Sequence, residues 1–239
     1  MISKVYLISA TERKYKLLKV VITGTSCGMG LATAKKFLDE GHEVYGIDIL
    51  PMRNDSILNN PGYTHYVSNV VDYDSLPDID GVNILVNNAG VQGSGMDIDI
   101  NLKGLMNTTR KYALNNVMIR AVLNQASNSA HLGTEFDEYV ASKGGVVSYT
   151  KWTAKEIAKY GAVCNSLSFG GVSTEVNKPV MENEALWNQI MDLTPLKRWT
   201  TVEEASDWIY FMTVVNRSCS GTDIIIDNLE SLNGVFVWE

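Results

Sequence analysis

The chain has 239 residues, 45% of them apolar and 20% charged, enough for one globular domain with a sizeable core. Its net charge of −7 argues against an electrostatic nucleic-acid binder. No apolar run reaches membrane-spanning length, and the start MISKVYLISATERKYKLLK lacks a signal-peptide core and cleavage site.

Strands are predicted at Lys19–Thr23, Glu43–Asp48, Thr64–Val67, Asn83–Val86, Ala121–Asn124, Ala162–Leu167 and Asp223–Ile226. Amphipathic helical patterns lie at Gly30–Glu40, Leu102–Asn115 and Val140–Tyr160. This alternation predicts an α/β fold, a doubly wound parallel sheet with helices on both faces. The runs VVIT, NILV and DIII read as buried parallel strands. One domain over 1–239 is the simplest reading. Residues 1–15 precede the first strand as an unplaced arm. Cys27, Cys164 and Cys219 are scattered and odd in number, which argues against a disulfide framework and for a reducing cytoplasm. His42, His65 and His131 show no metal or triad grouping, so no metal is expected.

KVVITGTSCGMGLATAKKFLDEG reads as strand, glycine-rich turn and helix. Gly24, Gly28 and Gly30 let the backbone approach a pyrophosphate, and the helix start offers free N–H groups. The turn residues Ser26, Cys27 and Met29 join the expected dinucleotide site. Cys27 reads as a small filler, although a helix start favours a thiolate. Asp48 ends the second strand, where a carboxylate accepts hydrogen bonds from ribose hydroxyls and repels a 2′-phosphate. It favours NAD over NADP, with Ile49 beside it. Arg53 is near enough to complicate that preference.

TGTSCGMG, NNAG at 87–90 and YVASK at 139–143 resemble the TGxxxGxG, NNAG and YxxxK motifs of the short-chain dehydrogenase/reductase family, in family order. The resemblance runs from about Leu18 almost to the end. It implies a seven-stranded Rossmann-like sheet, usually in homodimers or homotetramers, and an NAD(P)-dependent enzyme interconverting a secondary alcohol and a ketone. It implies that Asn87 ties strands together and that Asn88, Ala89 and Gly90 line the cofactor. Asn69 and Val70 are implied to stand beside the adenine, Gly170 and Val172 to pass the carboxamide side of the nicotinamide, and Thr174 to contact carboxamide or phosphate. Phe169 replaces the family's proline and is expected to form an apolar wall. Residues 175–193, with Val180, Met181, Leu186, Trp187, Ile190 and Met191, are implied to be the substrate lid; packing onto the domain is the competing reading.

Hydride transfer at a carbinol carbon needs a proton moved at the oxygen, and Tyr139 is the expected general acid–base. Bringing a phenol to neutrality needs about 4 kcal/mol of differential stabilisation. Lys143, one helical turn on, supplies a cation on the same face and can hold the nicotinamide ribose; an oxidised nicotinamide adds to the effect. By resemblance Asn101 joins a proton relay to the lysine. Local pattern gives Ser127 as the hydroxyl that polarises the substrate, whereas family spacing reaches Ala126, and Ser129 is a further candidate. Losing such a donor typically costs ~10²–10³-fold in rate.

Connections such as DYDSLPDIDG and VQGSGMDIDIN are short, similar to the bacterial hydroxysteroid dehydrogenase/carbonyl reductase subgroup. DIIIDNLES lacks the family's frequent glycine pair. The substrate is expected to be a small alcohol or carbonyl compound, whether hydroxysteroid, sugar or polyol, or oxoacyl thioester. A dinucleotide-binding regulator with weakened chemistry is the alternative. A glycine-loop methyltransferase explains neither NNAG nor YVASK.

Overall fold

A computed structural model of the chain describes residues 17–234. The expected arm over 1–15 lies outside the described residues. Seven parallel strands form the sheet: β1 Lys19–Thr23, β2 Glu43–Asp48, β3 Tyr63–Val67, β4 Ile84–Asn87, β5 Ala121–Gln125, β6 Val163–Phe169 and β7 Asp223–Ile226. Their spatial order is β3-β2-β1-β4-β5-β6-β7. The order reverses between β1 and β4, which opens a crevice at the carboxyl ends of the strands.

Successive side chains leave a strand on opposite faces, so a strand covered on both sides has no polar face to spare. Val20 and Ile22 pack with Phe37 and Leu38 of α1 (Gly28–Asp39) and Ile209 of α5 (Val202–Tyr210). Val21 and Val122 face the other way, toward Tyr112 of α2 (Leu105–Tyr112) and Ile157 of α3 (Asp137–Ile157). β7 corrects the sequence reading. As the edge strand of the sheet it is only partly buried, and Ile225 is 41% exposed.

Helices begin and end close to their predicted bounds, with one difference in kind. α2 is preceded by a π-helical turn, Ile98–Gly104. Asn101 lies in it, and its side chain accepts from Val91 N and donates to Val91 O and Ser142 Oγ, which ties the turn to the loop after β4 and to α3. Between β3 and β4 there is only the turn Tyr73–Ser75, as the short connection required. Residues 178–193 fold as Lys178–Glu182 followed by α4, Glu184–Leu193.

A buried polar network fixes how β4 sits on β5. Asn87 stands opposite Asn124 and donates to its Oδ1 at 2.9 Å and to Thr109 Oγ1 at 3.1 Å. Thr108 donates to Asn87 Oδ1 at 2.6 Å, and Asn124 donates to Thr150 Oγ1 at 2.9 Å. Each buried amide is satisfied by a neighbouring strand or helix, so hydrogen bonds offset the cost of taking the network out of water.

Candidate active site

The glycine turn joins β1 to α1 at the crevice. A Cβ on Gly30 would lie 1.9 Å from the Gly24 carbonyl oxygen, and one on Gly24 would lie 2.9 Å from Asn88 Nδ2. Asn88 closes the turn by donating to the carbonyls of Thr23 and Gly24. The backbone N–H groups of Asn88 and Ala89 both reach Thr23 Oγ1. Cys27 caps α1 without a side-chain hydrogen bond, and no acidic residue stands in the first turn. The helix start therefore keeps free N–H groups and its partial positive charge for an anion. Ser26 and Met29 lie in the same turn.

Asp48 stands across from this turn. Its carboxylate accepts from Ser26 N and Leu50 N, each at 2.9 Å. Beside it a cavity of about 340 Å³ is lined by Ile49, Val67, Ser68, Asn69, Asp72 and Ser75. Asn69 Oδ1 is occupied by Val71 N, while Val70 is buried under Gly104. A glycine cradle, an uncapped helix start, a carboxylate and a flat cavity in line fit a dinucleotide. Cys27 fits the reading as a small filler: partial burial, then Asp48 and Glu175, raises its pKa, so the helix start does not make it a thiolate.

Tyr139 and Lys143 lie on α3, whose first turns face the carboxyl end of β5. Lys143 is 4% exposed; its ammonium donates to Gln125 O at 3.0 Å and lies 5.6 Å from the Tyr139 ring centroid. Burial pulls its pKa down to about 8, against a smaller upward pull from Asp97. A Cβ on Gly90 would lie 3.0 Å from Asn101 Oδ1 and 3.5 Å from Lys143 Nζ, so NNAG, Asn101 and the lysine converge. Asn101 is held by Val91 and Ser142, and the Lys143 ammonium turns to Gln125 O instead.

The serine loop follows β5. Ala126 packs in a small apolar cluster with Leu105 and Val146. Ser127 Oγ donates to Ser129 Oγ at 3.0 Å and stands near enough to Tyr139 to favour its phenolate. Burial raises the Tyr139 pKa most, Ser127 lowers it, and Glu135 and Asp97 raise it further. In the free protein Tyr139 is therefore a neutral phenol at neutral pH. Lys143 alone does not bring it to neutrality, because the same burial that places the ammonium also desolvates the phenol.

After β6, Gly170 lies against Glu230, whose Oε2 would be 2.3 Å from an added Cβ. Val172 pairs with Thr200, and Thr174 Cγ2 would meet a Cβ on Gly28 at 3.6 Å. Thr174 thus reaches the glycine turn. Phe169 is not an apolar wall of the site: β6 runs through it, and its ring is buried in the core on the α1 face.

Two acidic residues near Tyr139 escaped the sequence reading. Asp97 is buried; burial would raise its pKa, but hydrogen bonds from Ser94 and the backbone of Gly93 and Gly95 hold it below the ordinary value. Glu135 accepts from Ser129 Oγ. Only the short reach from Glu135 to YVASK hinted at its place. His131, read as a loop histidine, sits on the helical turn Ser129–Leu132 and pairs with Asp223 at 2.7 Å. Among the described residues no three His, Cys, Asp or Glu side chains group as a metal site, and no helix is long and apolar enough to cross a membrane.

A family model described as enoyl-(acyl carrier protein) reductase matches residues 24–228. The 3-oxoacyl-[acyl-carrier-protein] reductase of Thermotoga maritima is 29% identical, covering 80% of this chain and 88% of its own. The glucose 1-dehydrogenase of Gluconobacter oxydans is 25% identical over 91% of this chain and 93% of its own. Among solved structures, the aldohexose dehydrogenase of Thermoplasma acidophilum superposes with a TM-score of 0.82 at 23% identity, over 94% of this chain and 98% of that one.

Proposed function

The chain belongs to the short-chain dehydrogenase/reductase family and is an NAD(P)-dependent oxidoreductase acting on alcohol and ketone groups, and we propose that Tyr139 is its general acid–base. The observation that carries this reading is the meeting of Ser127, Tyr139 and Lys143 at the carboxyl end of β5, beside the glycine turn. The bound nicotinamide dinucleotide supplies or takes up the hydride. The chain's own residues handle the oxygen. Tyr139, a neutral phenol, donates its proton to a ketone oxygen during reduction. Ser127 holds that oxygen against Tyr139, and Lys143 stabilises the phenolate left behind. Asn101 holds the strand-end loop that carries Val91, and so keeps Gly90 against Lys143.

Gly24, Ser26, Cys27, Gly28, Met29 and Gly30 would hold the pyrophosphate, and Asp48 and Ile49 the adenosine ribose. Asn69 and Val70 would flank the adenine. Asn88, Ala89, Gly90, Lys143, Gly170, Val172 and Thr174 would border the nicotinamide half. Asp48 supports NAD over NADP. The whole chain acts as one oxidoreductase unit, with residues 175–193 as the lid; the exposure of Val176 and Leu193 supports this. A groove of about 380 Å³ lined by Trp208, Phe211 and Ile226 supports a homodimer or homotetramer. Three cysteines without a disulfide support a cytoplasmic setting. The regulator alternative is not favoured, since the relatives are oxidoreductases.

The test is a fluorescence titration with NADH, followed by turnover on acetoacetyl-CoA, glucose and a panel of secondary alcohols. Tyr139→Phe should lower kcat by at least ~10²-fold on any active substrate while NADH still binds. Unchanged turnover in that variant would remove Tyr139 from its role.

A further inference from the structure

The chain leaves β7 by a turn that side chains other than glycine rarely allow. Asn228 takes φ 53° and Leu229 φ 72°, two left-handed residues in succession. Asparagine tolerates that region, whereas leucine is strained there. Asp227, buried just past the strand, fixes the turn: its carboxylate accepts from Leu229 N at 3.1 Å and from Ser231 N at 2.8 Å. The turn is also braced on the segment at and after the end of α4. Asn228 donates to Thr200 Oγ1 at 3.1 Å and its carbonyl accepts from Leu196 N at 3.3 Å, while Asn233 donates to Leu193 O at 3.1 Å.

This turn sends Glu230 back toward the crevice. The half-buried carboxylate accepts from Asn128 Nδ2 at 2.9 Å. It passes over Gly170, where an added Cβ would lie 2.3 Å from Oε2, so the bare backbone of that glycine is what lets it through. Thr194 Oγ1 stands 3.4 Å from Oε1, with its own proton given to Ile190 O at 2.8 Å. Asn128 follows Ser127 directly and is 7% exposed. Its N–H donates to Phe169 O at 3.0 Å, and its carbonyl accepts from His131 N and Leu132 N. Burial raises the Glu230 pKa against the hydrogen bonds it accepts, so the ionised carboxylate costs stability. Backbone strain and a half-buried acid thus meet at one turn, beside the serine loop. Such costs persist where the surroundings over-determine them, and they cluster at active sites.

We propose that Glu230 is a positioning residue: through Asn128 it fixes the stretch of loop that carries Ser127, so that the Ser127 hydroxyl meets the substrate oxygen. This rests on the reading of Ser127 as the group that holds that oxygen against Tyr139. In the free protein the Ser127 proton goes to Ser129 Oγ at 3.0 Å, and Ser129 N donates to Ser127 Oγ at 3.2 Å. The substrate oxygen receives that proton only when the hydroxyl rotates away from Ser129 Oγ. The rotation gives up one of the two bonds that hold Ser127 within its own loop, so the loop must be held from outside. Asn128 is the adjacent handle, and Glu230 grips it from a turn that the far end of the chain has already braced. A reacting group misplaced by about 1 Å loses on the order of 10²-fold in rate. No proton passes through Glu230, which acts on the reaction only through the place of Ser127.

The test uses the intact enzyme and a substrate that the wild type turns over and Tyr139→Phe does not. Glu230→Ala and Asn128→Ala should each lower kcat by about tenfold or more, and the double variant should fall little further than the slower single one. Glu230→Gln still offers Asn128 a carbonyl oxygen and should recover most of the rate. In a Ser127→Ala background, Glu230→Ala should cost less than about twofold, because the hydroxyl it places is gone. NADH titration checks that each variant is folded; where Glu230→Ala is not, Asn128→Ala is compared in the two backgrounds instead. An equal loss with and without Ser127 would make Glu230 a brace of the fold and overturn the proposal, as would a wild-type kcat in Glu230→Ala. Ser127→Ala at the wild-type rate would instead overturn the reading of Ser127, and the role of Glu230 with it.

Discussion

Lys143 is the costliest side chain in the site, and its cost can be measured. Burial brings its pKa from an ordinary 10.5 to about 8, which at about 1.4 kcal/mol per pH unit is about 3 kcal/mol of stability lost while the ammonium is charged. The unfolded chain binds the proton more tightly, so the penalty is complete below pH 8. It fades as pH rises toward 10.5. Lys143→Met removes the charge at similar volume, although it leaves Gln125 O without its donor. Other groups titrate in the same window: burial raises Tyr139 and Cys164, which weakens the fold at high pH. The decisive quantity is therefore the difference between wild type and Lys143→Met, measured by urea unfolding from pH 7 to pH 10. Wild type should gain on the variant by about 2 kcal/mol between pH 8 and pH 10. A difference that stays constant with pH would mean that the ammonium is hydrated in the folded protein, and the argument from burial would fail. Activity should be lost in the variant throughout, so stability and catalysis oppose each other at this residue.

Two further outcomes follow from the cofactor cradle. Gly30→Ala places its Cβ 1.9 Å from the Gly24 carbonyl, where backbone must move, so urea unfolding should show a loss of about 3 kcal/mol. Gly41→Ala, with nothing within 4 Å of its Cβ, should lose only the left-handed backbone cost of about 1 kcal/mol; equal losses would refute the steric reading. Asp48→Asn should improve NADPH relative to NADH by about tenfold, about 1.4 kcal/mol, in fluorescence titrations, with an unchanged ratio counting against Asp48 as the ribose contact.

The sequence carried the sheet well because buried parallel strands are continuous apolar runs, and VVIT and NILV stand out from their surroundings. DIII looked the same, yet it lies at the sheet edge: an apolar run reports affinity for a pleated surface and not how many neighbours the strand will have. The glycine turn and YVASK were legible because their spacing is set by local backbone geometry. Phe169 was misread because the end of β6 depends on pairing with Ile226, which lies far along the chain. The π-helical turn at Asn101 is also tied to a distant partner, the backbone of Val91. Ser127 and Ala126 could not be separated by counting, since the loop to Tyr139 contains a helical turn of its own. Glu135 was invisible for the same reason: a positive φ at a glutamate leaves no mark in composition.

The amide and hydroxyl network between β4 and β5 has a consequence for redesign. Sliding β5 by one residue would set Leu123 or Gln125 opposite Asn87 and break the buried Asn87–Asn124 hydrogen bond. The floor beneath the crevice thus encodes its own alignment, without help from the segments above it. Exchanging residues 175–193 for those of a relative is expected to leave Tyr139 and Lys143 where the floor puts them.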